Sequence, residues 1–156
     1  MIRSVIAIWA CNHWTGAFGY RDKLPWSNYE MDLKMLDDVL SQADYIVASS
    51  KLKKNLPESF LLKHKDIIEC NSNETLDRVL NRLSGTIVVL GGRTVFNYGI
   101  QNKLFDYIIQ NRLFFPRDKV IEYDTVAPHI DSTKYELSDI KTCKNNKEGM
   151  YITYWE

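Results

Sequence analysis

Continuous apolar runs and helically spaced apolar residues follow one another along the first part of this chain. Residues 4–10 are almost wholly apolar, which is typical of a strand covered on both faces of a parallel sheet. Residues 28–40 place Tyr29, Leu33, Leu36 and Leu40 at helical intervals, which predicts an amphipathic helix. The segment between them, residues 11–26, is interrupted by glycine and proline and is predicted to be a long loop.

The remaining elements complete an alternating pattern. Strands are predicted at 44–49, 66–70 and 86–90, helical turns at 51–56 and 93–98, and a helix from a cap at Ser72 or Asn73 to Ser84. After these come strands alone, at 105–111, 119–123, 135–142 and 150–155. The order predicts an α/β fold: a mostly parallel central sheet flanked by helices, with a C-terminal antiparallel hairpin. We expect a single domain over residues 1–156, with ligands bound at the carboxyl ends of the strands.

Composition narrows the class of protein. A hydrophobic content of 45% argues against disorder, and a formal net charge of zero argues against a nucleic-acid partner. The three cysteines are far apart, which favours reduced thiols in a cytoplasmic protein, and the three histidines lack the spacing of metal ligands. The apolar start is too short to span a membrane and lacks a signal-peptide cleavage site. We therefore expect no metal and no membrane contact.

One acidic residue stands out among the apolar positions of the first predicted helix. Residues 19–26 (Gly-Tyr-Arg-Asp-Lys-Leu-Pro-Trp) join a glycine turn to a rigid bend, and Asp32 follows on the helix face of Leu36 and Val39. Burial there would raise the pKa of Asp32 and favour pairing with a nitrogen heterocycle. The alternative is a solvated acid at the rim of the apolar stripe, since the same helix carries other acids.

Two strand ends carry residues that suit phosphate groups. Gly91-Gly92 lies between an apolar strand and a helix start, where backbone amides can approach an anion. Ser49-Ser50-Lys51 stands at a similar junction and offers hydroxyls and a cation. A tight turn explains the first motif equally well, and simple helix capping explains the second.

Together these motifs resemble dihydrofolate reductase over nearly the whole chain. Residues 19–26 are similar to that family's active-site loop ending in Leu-Pro-Trp, and Asp32 stands at the acid spacing of one family branch. Residues 87–96 (Ile-Val-Val-Leu-Gly-Gly-Arg-Thr-Val-Phe) are similar to its Gly-Gly cofactor motif. The resemblance implies that NADPH reduces 7,8-dihydrofolate to 5,6,7,8-tetrahydrofolate, by hydride transfer to C6 and protonation of N5, for one-carbon metabolism and thymidylate synthesis.

The length of the chain suits the compact monomeric members of that family, so the resemblance also implies a monomer. It further implies roles for individual residues. Asp32 would hold the pterin ring, Trp26 would orient a bridging water, and water entering near Leu24 would protonate N5. Substrate contacts are implied for Ile6, Asp32, Leu33, Leu36, Leu56, His64 and Gln110, the last replacing a threonine that supports the acid. Cofactor contacts are implied for Ile8, Phe18, Gly19, Ser49, Ser50, Lys51, Asn71, Gly91, Gly92, Arg93, Thr94 and Val95.

Several positions depart from the family pattern. Close to the positions at which the family usually has a glycine, a basic residue and a threonine, this chain has Ser49, Ser50 and Leu52. This difference leaves the choice between NADPH and NADH open. His64, which has a lysine on each side, stands close to the position at which the family has an arginine that holds the folate glutamate. Ile8 replaces a small residue, and the longer loop after the first strand brings in His13 and Trp14. A reductase of another pterin or pyrimidine-derived ring and a non-catalytic nucleotide-binding or structural protein remain alternatives.

Overall fold

The computed structural model describes residues 2–64, 66–71 and 73–156. Its strands are β1 (Arg3–Asn12), β2 (Ala17–Gly19), β3 (Tyr45–Ser49), β4 (Ile67–Cys70), β5 (Gly85–Gly91), β6 (Tyr107–Leu113), β7 (Thr125–Val126), β8 (Leu137–Lys144) and β9 (Gly149–Trp155). Its helices are α1 (Glu30–Leu40), α2 (Ser50–Asn55), α3 (Glu58–Lys63), α4 (Leu76–Leu80) and α5 (Arg93–Gln101).

A seven-stranded sheet in the order β4-β3-β5-β1-β6-β9-β8 forms the centre of the fold. Strands β4, β3, β5, β1 and β6 run parallel, while β9 pairs antiparallel with both β6 and β8. The α/β fold, the mostly parallel sheet and the C-terminal hairpin are therefore confirmed. Because the parallel strands share one direction, their carboxyl ends meet along one edge of the sheet.

Side chains on the two faces of β1 enter separate hydrophobic clusters. Trp9 packs with Phe96 of α5 and Phe105 on one face, whereas Ile8 packs with Trp26 and Ile109 on the other. Successive residues of a strand point to opposite faces, which explains how a continuous apolar run serves both clusters. The second cluster contains three of the four apolar residues predicted to contact the substrate: Ile6, Leu36 and Leu56.

Three predictions of secondary structure are wrong in part. The helix predicted to run to Ser84 covers only Leu76–Leu80. Beyond it the α-helical pattern is lost, because the amides of Arg82 and Leu83 donate to the carbonyls of Val79 and Leu80, three residues earlier, as in a 3₁₀ turn. Of its predicted caps, Asn73 lies in a turn before the helix and Ser72 lies outside the described residues.

Residues 119–123 form no strand, and Val120 is 89% exposed. The strand in this region is β7, which pairs with β2 of the loop that was predicted to be irregular. Helix α3 was not predicted; it begins directly after Pro57, which supplies extended backbone at the cap position. Among the described residues, no helix combines the length and the apolar character that crossing a membrane requires.

Candidate active site

Asp32 projects from the first turn of α1 into the apolar cluster of Ile8 and Trp26, and it is only 8% exposed. Its Oδ1 atom accepts a hydrogen bond of 2.9 Å from Nδ2 of Asn111 on β6. The other side-chain atom of that amide, Asn111 Oδ1, is buried without a hydrogen-bond partner among the described residues. Asn111 is wholly buried, so the group of this pair that a ligand can reach is the Asp32 carboxylate, which Asn111 holds in place.

Burial dominates the electrostatics of Asp32. Desolvation raises the pKa of its carboxyl above the ordinary value, the hydrogen bond from Asn111 opposes this shift, and the nearby charge of Glu148 adds to it. Such a carboxylate gains from any ligand that brings a proton or a positive charge to it. The first of the two sequence interpretations, a buried acid, is therefore the one found.

The β8–β9 hairpin fixes the helix that carries Asp32. The Glu148 carboxylate accepts hydrogen bonds from the backbone amides of Glu30 and Met31, at 3.0 and 2.9 Å, and so caps the start of α1. The Tyr29 hydroxyl donates to the Gly149 carbonyl and accepts from the Gly149 amide. The position of the acid is thereby coupled to the last two strands.

The prediction that Gln110 supports Asp32 is wrong. Gln110 points to the opposite face of β6, where its Oε1 accepts a 3.1 Å hydrogen bond from Trp9 Nε1. Asn111 is the residue beside Asp32, because it shares a face with Ile109 in the cluster around Trp26. Two adjacent polar residues in an apolar strand mark this region in the sequence, and only the sheet face distinguishes them.

The predicted apolar lining divides into a packed part and an exposed part. The packed part lies in the cluster on the Asp32 face of the sheet and consists of Ile6, Ile8, Leu36, Leu56 and Trp26. Leu24 and Leu33, by contrast, are 52% and 46% exposed. The exposed pair leaves apolar surface beside the buried acid, as a site for a flat ring requires.

The second motif lies at the carboxyl end of β5. Gly91 has a φ of +110°, and a Cβ atom there would lie 2.6 Å from the Phe96 ring. A Cβ atom at Gly92 would have Ser49 Oγ as its nearest neighbour, at 3.8 Å. Gly91 is thus required by the fold, whereas the space at Gly92 stays open in the protein alone.

Helix α5 presents its amino end at this open space. It begins at Arg93 after Gly92, and no side chain among the described residues caps it. Its first turn, which continues through Thr94 and Val95, carries no acid. Free amides and the positive end of the helix dipole favour an anion at such a place. The open space and the uncapped amides fit a pyrophosphate group.

Strand register places this anion site relative to Asn111. Ala7 is opposite Val89, so Gly91 is level with Trp9, while Asn111 is opposite Ala10 of the same strand. Two strand spacings, roughly 10 Å in all, separate β5 from β6. The anion site and the buried acid pair therefore lie near the same height on adjoining parts of one sheet edge.

Ser49 links the ends of β3 and β5. Its Oγ atom accepts hydrogen bonds of 3.1 Å from the amides of Leu52 and Gly92. Its neighbour Ser50 donates to Glu69 of β4 at 3.3 Å, and Lys51 is paired with Asp22 at 2.8 Å. Asn71, at the end of β4, is exposed, and its Oδ1 accepts from the Asn73 amide.

The loop formed by residues 11–26 is held beside this region by β7 and by the residue that precedes β7. The Asp124 carboxylate accepts from the Arg21 amide at 2.9 Å, and the Asp124 amide donates to the Gly19 carbonyl. Arg93 Nε donates to the Val126 carbonyl at 2.9 Å, which ties the same segment to the start of α5. Phe18 packs against Phe96, so the loop lies beside the Gly91-Gly92 turn.

His13 and Trp14, which had no assigned role, anchor the start of the loop. Trp14 Nε1 donates to the Phe115 carbonyl at 2.8 Å, and the His13 ring packs on Phe114. The longer loop is therefore fixed to the end of β6, close to Asn111.

His64 lies in a small charged group with Asp37 and Lys63. Its ring stacks on Phe60, and its buried Nε2 lies 3.5 Å from Asp37 Oδ1 without hydrogen-bond geometry. Lys63 Nζ is 2.8 Å from Asp37 Oδ2, and this hydrogen bond is the main cause of the lowered pKa of Asp37. Lys65, the second lysine beside His64, lies outside the described residues.

Sequence reasoning missed three polar residues of this region: Asn111, Glu69 and Asp37. Asn111 could have been found from its alternation with Ile109. Glu69 and Asp37 look in the sequence like ordinary exposed acids, and only the tertiary structure brings them to the strand ends and to His64.

Comparison with known proteins supports the fold from structure. A dihydrofolate reductase from Enterococcus faecalis, complexed with NADP(H) and RAB-propyl, matches with a TM-score of 0.72 over 97% of this chain and 95% of that one, at 19% identity. No protein-family model matches the sequence, and no curated protein matches it. The chain therefore has the dihydrofolate reductase fold.

Proposed function

We propose that this chain reduces 7,8-dihydrofolate to 5,6,7,8-tetrahydrofolate with a reduced nicotinamide dinucleotide, and so serves one-carbon metabolism. The observation that carries the proposal is the buried carboxylate of Asp32 among apolar side chains, held by a hydrogen bond from Asn111. The edge of a 2-amino-4-oxopteridine presents two adjacent N–H groups, which match the two oxygens of one carboxylate. NADPH is the donor that the resemblance implies.

The chain's own residues bind and orient the reactants. Asp32, itself positioned by Asn111, holds the ring edge, and Ile6, Ile8 and Leu36 supply the apolar surface on which the ring lies. Gly92 and the amides that begin α5 hold the pyrophosphate. The nicotinamide supplies the hydride, and the protein's contribution is largely positioning.

Protonation of N5 is assigned to water rather than to Asp32. Asp32 stabilises the protonated ring, because a carboxylate with a raised pKa in an apolar site attracts a positive charge. In this proposal water reaches the ring beside Leu24, which is half exposed, and the buried Trp26 orients a bridging water.

A second candidate, a reductase of another pterin or pyrimidine-derived ring, is favoured by one observation. Asp37 occupies the region where the resemblance implies that a cation binds the folate tail, and it already pairs with Lys63. A tail carboxylate there meets a neutralised pair, so the ring would provide most of the affinity.

The test is turnover of the purified chain with dihydrofolate and either NADPH or NADH, followed by absorbance near 340 nm. We expect turnover that methotrexate abolishes and that Asp32→Asn strongly reduces at neutral pH, less so at low pH where the substrate is already protonated. Glu30→Gln, which removes an exposed acid from the same helix turn, is the matched control and should keep full activity. No turnover with dihydrofolate but turnover with a tail-free dihydropterin would favour the second candidate, and dinucleotide binding without turnover of either would favour a non-catalytic protein.

A further inference from the structure

If the proposed function holds, the positions of the pyrophosphate and the nicotinamide determine the direction in which the adenosine half of the dinucleotide extends. The pyrophosphate lies at Gly92, and the nicotinamide must reach towards Asp32 and β6. The other nucleoside then extends the opposite way from β5, over the carboxyl ends of β3 and β4. Ala48 is opposite both Gly91 and Glu69, so Glu69 lies level with the anion site, two strand spacings away.

At this end the structure offers a carboxylate held by a hydroxyl. Ser50 Oγ lies 3.3 Å from Glu69 Oε2, and the Glu69 side chain is exposed at the strand end. We propose that Glu69, oriented by Ser50, accepts a hydrogen bond from the 2′-hydroxyl of the adenosine ribose, so that the chain prefers NADH to NADPH. This inference rests on the proposed function and names the cofactor that it uses.

The chemistry of the two cofactors differs at one position. NADH carries a ribose 2′-hydroxyl, which donates well to a carboxylate. NADPH carries a 2′-phosphate instead, and a phosphate monoester bears a charge of about −1.5 to −2 at neutral pH. Next to Glu69 that phosphate meets a like charge, and its oxygens have no proton to donate to the carboxylate.

Two lysines that follow Ser50 in the chain already have partners in the protein. The ammonium of Lys51 is 2.8 Å from Asp22, and the ammonium of Lys53 donates to the Ile67 carbonyl at 3.0 Å. Ser50 itself stands near the place where the resemblance implies a basic residue. The described residues at the end of β3 thus lack the bidentate cation that suits a phosphate.

The test measures binding of the adenosine half without the reaction. ADP-ribose and 2′-phospho-ADP-ribose are titrated calorimetrically into the wild type, Glu69→Gln, and Ser50→Arg combined with Glu69→Gln. Glu136→Gln is the matched control, because it removes the same charge just before β8, at the opposite edge of the sheet. Thermal unfolding of each variant shows that the fold is retained.

We expect the wild type and Glu136→Gln to bind ADP-ribose about tenfold or more tightly than its 2′-phosphate, as one like-charge contact near the surface produces. Glu69→Gln should bind the two probes with more similar affinities, and the double variant should bind the 2′-phosphate more tightly than ADP-ribose. The ratio of kcat/KM for NADH and NADPH should move in the same order.

Tighter binding of the 2′-phosphate by the wild type, or an unchanged ratio in Glu69→Gln, overturns the inference and leaves the proposed reductase intact. Binding of neither probe by a folded protein overturns the dinucleotide site itself, and the inference with it.

Discussion

The two adjacent glycines at the end of β5 should respond in opposite ways to the same substitution. Gly91→Ala places a methyl group 2.6 Å from the Phe96 ring at a φ of +110°, whereas the nearest atom to a methyl at Gly92 is Ser49 Oγ at 3.8 Å. Phe96 is fully buried and packs on the Trp9 ring with centroids 4.7 Å apart, so it has little room to move. The first change should damage the fold, and the second only the ligand site.

The expected costs follow from these contacts. For Gly91→Ala, overpacking costs about 1–3 kcal/mol and the disfavoured backbone conformation adds about 1–3 kcal/mol. A loss near the middle of the summed range, about 4 kcal/mol, lowers the Tm of a chain of this size by roughly 8–16 °C. For Gly92→Ala, the free energy of unfolding should change by less than about 0.5 kcal/mol.

Dinucleotide binding should show the reverse dependence on these positions. A methyl group at Gly92 keeps a pyrophosphate from the amides at the start of α5. Losing one hydrogen bond to a charged group costs about 1.5–3 kcal/mol, which corresponds to a roughly 10- to 150-fold weaker Kd. Calorimetric titration with NADH and differential scanning calorimetry measure both quantities on the same samples.

Two results would refute this reasoning. An unchanged Kd in Gly92→Ala would mean that no phosphate lies against this glycine, and the anion site would have to be abandoned. An unchanged Tm in Gly91→Ala would mean that the backbone relaxes away from Phe96, so that the fold does not require glycine at this position.

Three further predictions concern the acid, the tail region and the loop. Because burial raises the pKa of Asp32, its charged form lowers stability at neutral pH; Asp32→Asn should therefore raise the Tm at pH 7, and less so as acid protonates the wild-type carboxyl. His64→Arg should lower the KM for dihydrofolate with little change in kcat if the tail contact is weak; an unchanged KM would mean that the tail is held elsewhere or not at all. Asp124→Asn weakens the hydrogen bond from the Arg21 amide and should slow turnover several-fold without shifting the Tm; equal turnover would show that this tether does not organise the loop.

Local sequence signals were sufficient for the sheet but not for its irregular parts. The apolar run of β1 and the glycines after β5 fix strand–helix alternation through local physics, namely side-chain burial and backbone freedom. The length of α4 and the absence of a strand at residues 119–123 depend instead on hydrogen-bond partners elsewhere in the fold. An isolated window of residues carries no information about those partners.

The same distinction separates Asp32 from the acids that were overlooked. Asp32 could be singled out because an acid on an apolar helix face conflicts with its surroundings, and such conflicts tend to occur at functional sites. Glu69 and Asp37 create no local conflict, since the first is exposed, the second is partly exposed, and both are unremarkable within their own elements. Their significance comes from the neighbours that folding brings: Ser50 at the end of β3, and His64 after α3. Both acids lie where the resemblance implies positive charge, so the fold does not determine the ionic groups that its ligands meet. The affinities of this chain should therefore follow those acids more closely than the family pattern.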